Sequence, residues 1–270
     1  MKAFSPGLRH AVAGPGGSAW FWLNASQRRA ALDNYAAALD RERSDPEVAR
    51  VARRAFQNYG RMLLDFLLMG SLTKGELIER TDVDGLEHLD EALVRGRGVL
   101  IALPHMGSWD NTGSYGGALG YPITAVTGRF PGSLNDAVKQ TRQGYGLEVL
   151  LVGRPAVREI IHALRANRCV GLVCDQEEGP GVKVSFFGRG AVVPAGAGAL
   201  ALKTGAALVA GYQYMTPAGR HHIHFERALS WPQDETKEGL MQRIVHRFEE
   251  FIRERPDQWY AFRPIFKNEG

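Results

Sequence analysis

Cysteine is scarce in this chain. Only Cys169 and Cys174 occur in 270 residues, and they flank Val170-Gly171-Leu172-Val173, which reads as a strand. They therefore form neither a CxxC redox pair nor the framework of a disulfide-stapled fold, and buried free thiols are expected. No run of about 18 apolar residues occurs, so no spanning helix is expected. Internal repeats and low-complexity segments are absent too. There is no G-x-S-x-G elbow for a nucleophilic serine. Neither G-x-x-x-x-G-K-[ST] nor a G-x-G-x-x-G after a strand is present to cradle nucleotide phosphates. The stretch RHHIHFE puts His222 and His224 on one face of a strand and His221 on the other. No cysteine or carboxylate stands at matching spacing, so a solvent-facing edge strand is expected rather than a metal site. The N-terminus is broken by Pro6, Gly14, Pro15, Gly16 and Gly17 and lacks the continuous apolar region of a signal peptide.

What is there is an ordinary globular composition, 44% hydrophobic and 23% charged, enough for one α/β domain over residues 1–270. Residues 1–25 read as a membrane-interface arm, 26–95 as a helical region and 96–270 as the α/β core. The net charge of +4 and pI of about 9.1 suit an anionic partner: nucleic acid, an anionic membrane face or a phosphorylated substrate. The cluster Trp20-Phe21-Trp22-Leu23 fits either an arm packed on the core or an interfacial anchor. In SDPEVARVARRAFQNYGRMLLDFLLMG, Ser44 or Asp45 caps a helix with Pro46 in its first turn, and Gly70 stops it. The end of that helix is apolar nearly all round, as in a deeply buried helix or one that wraps a lipid-facing groove. From residue 98 the pattern alternates. Strands are expected at 98–103, 122–127, 147–152, 169–174, 182–187, 206–214 and 221–227. Helices are expected at 86–95, 108–118, 131–144, 154–166, 195–204 and 236–254. Such alternation implies a largely parallel or mixed sheet covered by helices, whose sites gather at the carboxyl ends of the strands.

At one such end, VLIAL runs into Pro104, His105 and then Asp110. On one continuous helix, residues five apart would diverge by about 140° at ~3.6 residues per turn. Pro104 disfavours helical geometry at Leu103, and Gly107 lets a turn close. His105 is thus expected before a helix capped by Ser108, with Asp110 in its first turn. From there Asp110 is expected to accept the Nδ1–H of His105 and leave Nε2 free as a base. Cys174, beside Asp175, is a poor thiolate, so base-assisted attack by a substrate group is favoured over a covalent intermediate. A second cluster, Asp175, Glu177 and Glu178, follows the apolar strand VGLVC. If that strand lies parallel beside VLIAL, the two carboxyl ends open into one crevice.

Four blocks in order, LPHMGSWD, DQEEGPGVKVSFFG, PAGAGALALKTGAAL and RPDQWYAFRPIF, resemble the bacterial lipid A late acyltransferase family, closest to its phosphatidylinositol mannoside acyltransferase branch. The resemblance spans roughly residues 45 to 266. It implies a glycerolipid acyltransferase-like αβ fold with a groove for an acyl chain. It also implies transfer of a fatty acyl group from acyl-CoA or acyl carrier protein to a glycolipid hydroxyl, at the cytoplasmic face of the membrane and with no further cofactor. His105 takes the base role and Asp110 the orienting role. Asp175 and Glu177 stand beside the acceptor, Arg129 and Arg142 meet phosphate or carrier groups, and Trp109 matches the SWD motif. The expected partners are then acyl donor, glycolipid and an anionic membrane surface, not nucleic acid, with the acyl chain held by the helix over 55–69 and the region 99–109. A glycerophospholipid acyltransferase or a thioesterase would use the same dyad, and a membrane-binding protein without activity would not depend on His105.

Overall fold

The computed structural model describes residues 6–128, 132–179 and 181–266. A seven-stranded sheet runs in the order β1-β9-β8-β2-β5-β3-β4. Its strands are β1 (Thr81–Asp84), β2 (Val99–Leu103), β3 (Ile123–Thr127), β4 (Glu148–Leu151), β5 (Cys169–Val173), β8 (Ala207–Met215) and β9 (His221–Phe225). Every pairing is parallel except β8 with β9. A separate antiparallel hairpin is made by β6 (Gly181–Phe186) and β7 (Arg189–Pro194). The expected helix-covered, mostly parallel α/β fold is what forms.

The central strand β2 shows why. All five of its residues are buried, as a strand covered on both faces must be. Leu100 and Ala102 enter the larger core, built with the helices α2 (Ala25–Leu39), α3 (Pro46–Met69), α8 (Arg154–Arg165), α9 (Gly196–Thr204) and α10 (Lys237–Glu254). Val99, Ile101 and Leu103 point the other way, into a smaller core shared with α4 (Lys74–Glu79), α5 (Leu86–Leu93) and α6 (Trp109–Ala118). Along the edge lies α7 (Ser133–Gly144), which follows β3.

Besides β1, which falls inside the region 26–95 expected to be helical, and β7, where no strand is expected, three features differ from the sequence expectations. Residues Pro6–Leu23 form a helix, α1, with Pro15 inside it, where a broken arm is expected. The physical reason is close packing on α3. A Cβ at Gly17 would overlap the Phe56 carbonyl, and one at Gly60 would lie 3.0 Å from the Ala13 carbonyl. Small residues let the two backbones meet, and that tertiary contact overrides poor local propensity. Trp20 packs on Phe56, Tyr59 and Phe262, whereas Trp22 and Leu23 are 63% and 85% exposed. The cluster is thus split: Trp20 packs on the core, and Trp22 and Leu23 face solvent. The end of α3 is not deeply buried, since Leu63 and Leu67 are exposed. Finally, β9 is not an edge strand. It lies between β1 and β8, with His221 buried against Gln213 and His222 bonded to Asp84 at 2.8 Å.

Candidate active site

Strands β2 and β5 are parallel neighbours, with Leu103 opposite Val173. The segments that follow them therefore leave the sheet side by side. Gly107, at φ +59°, turns the first segment into α6, and Ser108 caps that helix by accepting the Asn111 N–H. A Cβ at Gly107 would overlap the Gln213 carbonyl, and the Gln213 side chain receives the Ser108 N–H. The turn carrying His105 is thus seated directly on β8.

Asp175, not Asp110, holds His105. Its Oδ1 accepts the His105 backbone N–H at 3.0 Å and faces Nδ1 at 2.6 Å. An ionised carboxylate can only accept, so Nδ1 carries the proton and Nε2 is left as the acceptor. Asp175 is fully buried, and its Oδ2 accepts the Trp259 indole N–H at 2.7 Å. Burial works to raise the Asp175 carboxyl. The charge and hydrogen bonds of His105, with the Trp259 bond, outweigh it and hold the group below its ordinary value. Burial likewise works to lower His105, but Asp175 prevails and lifts the imidazole above its usual range. The His105 side chain is 26% exposed, and Trp109 meets it edge-on at 5.4 Å.

Asp110 is placed where the sequence puts it, in the first turn of α6, but its partner is Arg142 and not His105. Its Oδ1 receives Nε of Arg142 at 2.7 Å and Nη2 at 2.6 Å, and both side chains are more than nine-tenths buried. Burial raises the Asp110 carboxyl above its ordinary value, and the Arg142 guanidinium opposes that rise. The expected His105–Asp110 bond is therefore corrected to two separate pairs. The reason is distance along the chain. A five-residue window offers only Asp110, whereas the partner that forms the bond is 70 residues away and is brought in by sheet order. Asp175, expected beside the acceptor, is itself fully buried and bonded to the imidazole.

A cavity of about 300 Å³ opens beside this pair, on the α5 and α6 face of the sheet. His105, Trp109, Asp110, Arg142 and Glu178 line it, together with apolar side chains such as Leu89, Ile101, Leu103, Tyr115 and Ile123. Gly113 and Gly116 of α6 and Gly171 of β5 also line it, and their missing side chains keep it open. No residue of α3 lines this cavity; Phe66, Leu68 and Met69 of that helix line a smaller one of about 30 Å³. Both glutamates are exposed; Glu178 lines the cavity and His105 feels its charge, whereas Glu177 is not among the lining residues. Arg129 lies outside the described residues. Cys169 and Cys174 are buried and free, and burial pushes the Cys169 thiol up to about 12. Among the described residues, no group of three or more His, Cys, Asp or Glu could hold a metal ion.

Sequence reasoning assigned no role to Trp259, Gln258 or Gln213. The first two lie in the block RPDQWYAFRPIF, where nothing local points to a carboxylate 84 residues earlier. Gln213 sits in a strand that reads only as apolar core.

Comparison with known proteins adds a second line of observation. The family described as bacterial lipid A biosynthesis acyltransferase matches residues 6–268. A phosphatidylinositol mannoside acyltransferase of Mycolicibacterium smegmatis is 32% identical over 226 residues, covering 78% of this chain and 71% of that protein. A protein of the same description from Mycobacterium tuberculosis is 30% identical over 217 residues, covering 78% and 68%.

Proposed function

Because the chain belongs to the bacterial lipid A biosynthesis acyltransferase family, we propose that it moves a fatty acyl group from a thioester, acyl-CoA or acyl carrier protein, to a hydroxyl of a phosphatidylinositol mannoside-type glycolipid, with His105 as general base. The observation that carries this reading is the His105–Asp175 pair at the mouth of an apolar cavity. A sugar hydroxyl has too high a pKa to attack a thioester unaided at neutral pH. Nε2 takes its proton as the oxygen bonds to the carbonyl carbon, and Asp175 stabilises the imidazolium that forms. General-base help of this kind is worth about 10²–10⁴-fold. The tetrahedral oxyanion then collapses, the carbon–sulfur bond breaks, and the thiolate leaves with the proton held by His105.

The amides of the loop are already committed. Those of Met106, Gly107 and Ser108 donate to Pro104, Gln258 and Gln213. The amides of Trp109 and Asp110, at the positive end of α6, are the donors left for the oxyanion. The acyl chain lies in the cavity under α6. Glu178, facing the same space, binds acceptor hydroxyls, a role the sequence reading gave to Glu177.

The chain works at the cytoplasmic face of the membrane. Supporting contact with a membrane surface are the pI of about 9.1 and the exposed Trp22, Leu23, Leu63 and Leu67. The test is mass spectrometry of lipids after incubation with a phosphatidylinositol mannoside-containing membrane extract and isotope-labelled acyl-CoA. Labelled, further acylated glycolipid is expected, with a loss of at least ~10²-fold in His105→Ala. Free fatty acid alone, or full activity in His105→Ala, would overturn the assignment.

A further inference from the structure

We propose that Trp259 is a positioning residue of this site: its indole N–H fixes the far oxygen of Asp175 so that one oxygen alone is presented to His105. Both oxygens of a carboxylate are equivalent until something distinguishes them. Here Oδ1 takes two donors from His105, the backbone amide at 3.0 Å and Nδ1 at 2.6 Å. Oδ2 takes the indole at 2.7 Å. Asp175 and Trp259 are both fully buried, so water does not stand in for a missing donor. Rotation of the carboxylate would break all three bonds together.

The indole is itself held from three directions. The Tyr35 hydroxyl of α2 donates to the Trp259 carbonyl. Tyr35 and Phe186 meet the ring edge-on at 5.8 and 5.7 Å. The backbone on either side is stitched to the catalytic turn: Gly107 N–H donates to the Gln258 carbonyl at 3.0 Å, and Tyr260 N–H donates to the His105 carbonyl at 2.8 Å. One short segment thus grips the base by its main chain and the base's carboxylate by a side chain. That double grip fixes the angle between imidazole and carboxylate, which neither residue sets alone.

The indole has an electrostatic consequence too. A donor on Oδ2 draws off part of the carboxylate charge, so Asp175 stabilises the imidazolium less than a free carboxylate would. The charged groups facing His105 are Asp175 and Glu178, after β5, and Arg263 of the last segment. Cys174 beside Asp175 stays a neutral thiol, because burial raises it far above neutrality. With Glu178 and Arg263 unaltered, removing the indole N–H makes Asp175 the stronger partner. The folded-state imidazole pKa then rises, and the base is protonated at a higher pH.

The kinetic part of this inference rests on His105 being the base, whereas the geometric part does not. Two variants test it: Trp259→Phe, and replacement of Trp259 by benzothienylalanine, which swaps the ring N–H for sulfur at nearly constant shape. The His105 ring is titrated by NMR in each. A rise of about one pH unit is expected in both. The acid limb of kcat/KM should move upward with it. The value of kcat should fall about tenfold, the loss of one charge-assisted hydrogen bond, with little change in KM. An unchanged His105 titration in the benzothienylalanine protein would show that the indole only fills space and would overturn the proposal. Full activity in His105→Ala would instead remove the base assignment, and the NMR titration would still decide the role of Trp259.

Discussion

Removing the Asp110 carboxylate should unfold this protein more readily rather than disarm it. In Asp110→Asn, the guanidinium of Arg142 stays where it is, its side chain 5% exposed; an amide oxygen remains to accept from Nε and Nη2, but the negative charge that offsets the guanidinium is gone. A guanidinium is not deprotonated inside a protein, so the charge cannot be shed. Breaking one side of a buried pair costs ~3–5 kcal/mol. Arg142→Met should cost less, because the Asp110 carboxyl, already raised by burial, can take up a proton. That difference has a pH signature. In Arg142→Met, the folded-state pKa of Asp110 lies above its unfolded value. The folded state therefore binds more protons, and stability is full below the unfolded pKa and falls as pH rises through the folded one. Asp110→Asn has no such group and should show no such slope. The double variant should recover much of the single-variant losses, since neither charge is then left alone. Urea unfolding followed by circular dichroism at pH 5, 7 and 9, beside acyl transfer at saturating substrate, separates the outcomes. An Asp110→Asn protein with unchanged urea stability and activity reduced 10²-fold would show that Asp110 serves the chemistry and that its pairing with Arg142 is incidental.

Gly113 lines the cavity, and a Cβ there would lie 3.2 Å from the tip of Leu147. Gly113→Val should therefore fill part of the space and shift preference to acyl donors two or three carbons shorter, at about 0.8 kcal/mol per buried CH₂. Competition among acyl-CoAs read by mass spectrometry checks this, and an unaltered chain-length profile would mean that the chain lies elsewhere. Gly107→Ala should be both less stable and nearly inactive. Its left-handed φ alone costs roughly 1–2 kcal/mol for a residue with a Cβ, and that Cβ would strike the Gln213 carbonyl. Wild-type thermal stability in that variant would show that the turn can relax without loss.

Much of this architecture was legible in the sequence because strand and helix signals are local. VLIAL and VGLVC are continuous apolar runs, and they are the two strands that carry His105 and Asp175. The first strand, Thr81–Asp84, alternates polar residues over only four positions and gives no such signal. The hairpin strand Arg189–Pro194 begins with exposed Arg189 and Gly190 and was read as the approach to a helix. Pro15 and a run of glycines hid α1, since the packing that stabilises it involves α3. In the site, His105 was found because a histidine at the end of a buried strand stands out. Its carboxylate was misassigned because hydrogen-bond partners follow sheet order, and sequence spacing carries no information about which strand lies next to which. That Glu178 lines the cavity and Glu177 does not is a matter of turn geometry one residue wide.

The last contacts of the site come late in the chain. The seven-stranded sheet is complete by Phe225, yet the indole on Asp175 and the amide on the His105 carbonyl belong to residues 259 and 260. During synthesis, therefore, the whole sheet can leave the ribosome while the imidazole still lacks the clamp that orients it. Trp259, Tyr260 and Phe262 are also part of the larger core, so the segment that clamps the imidazole is the one that closes the core, and the two events are coupled.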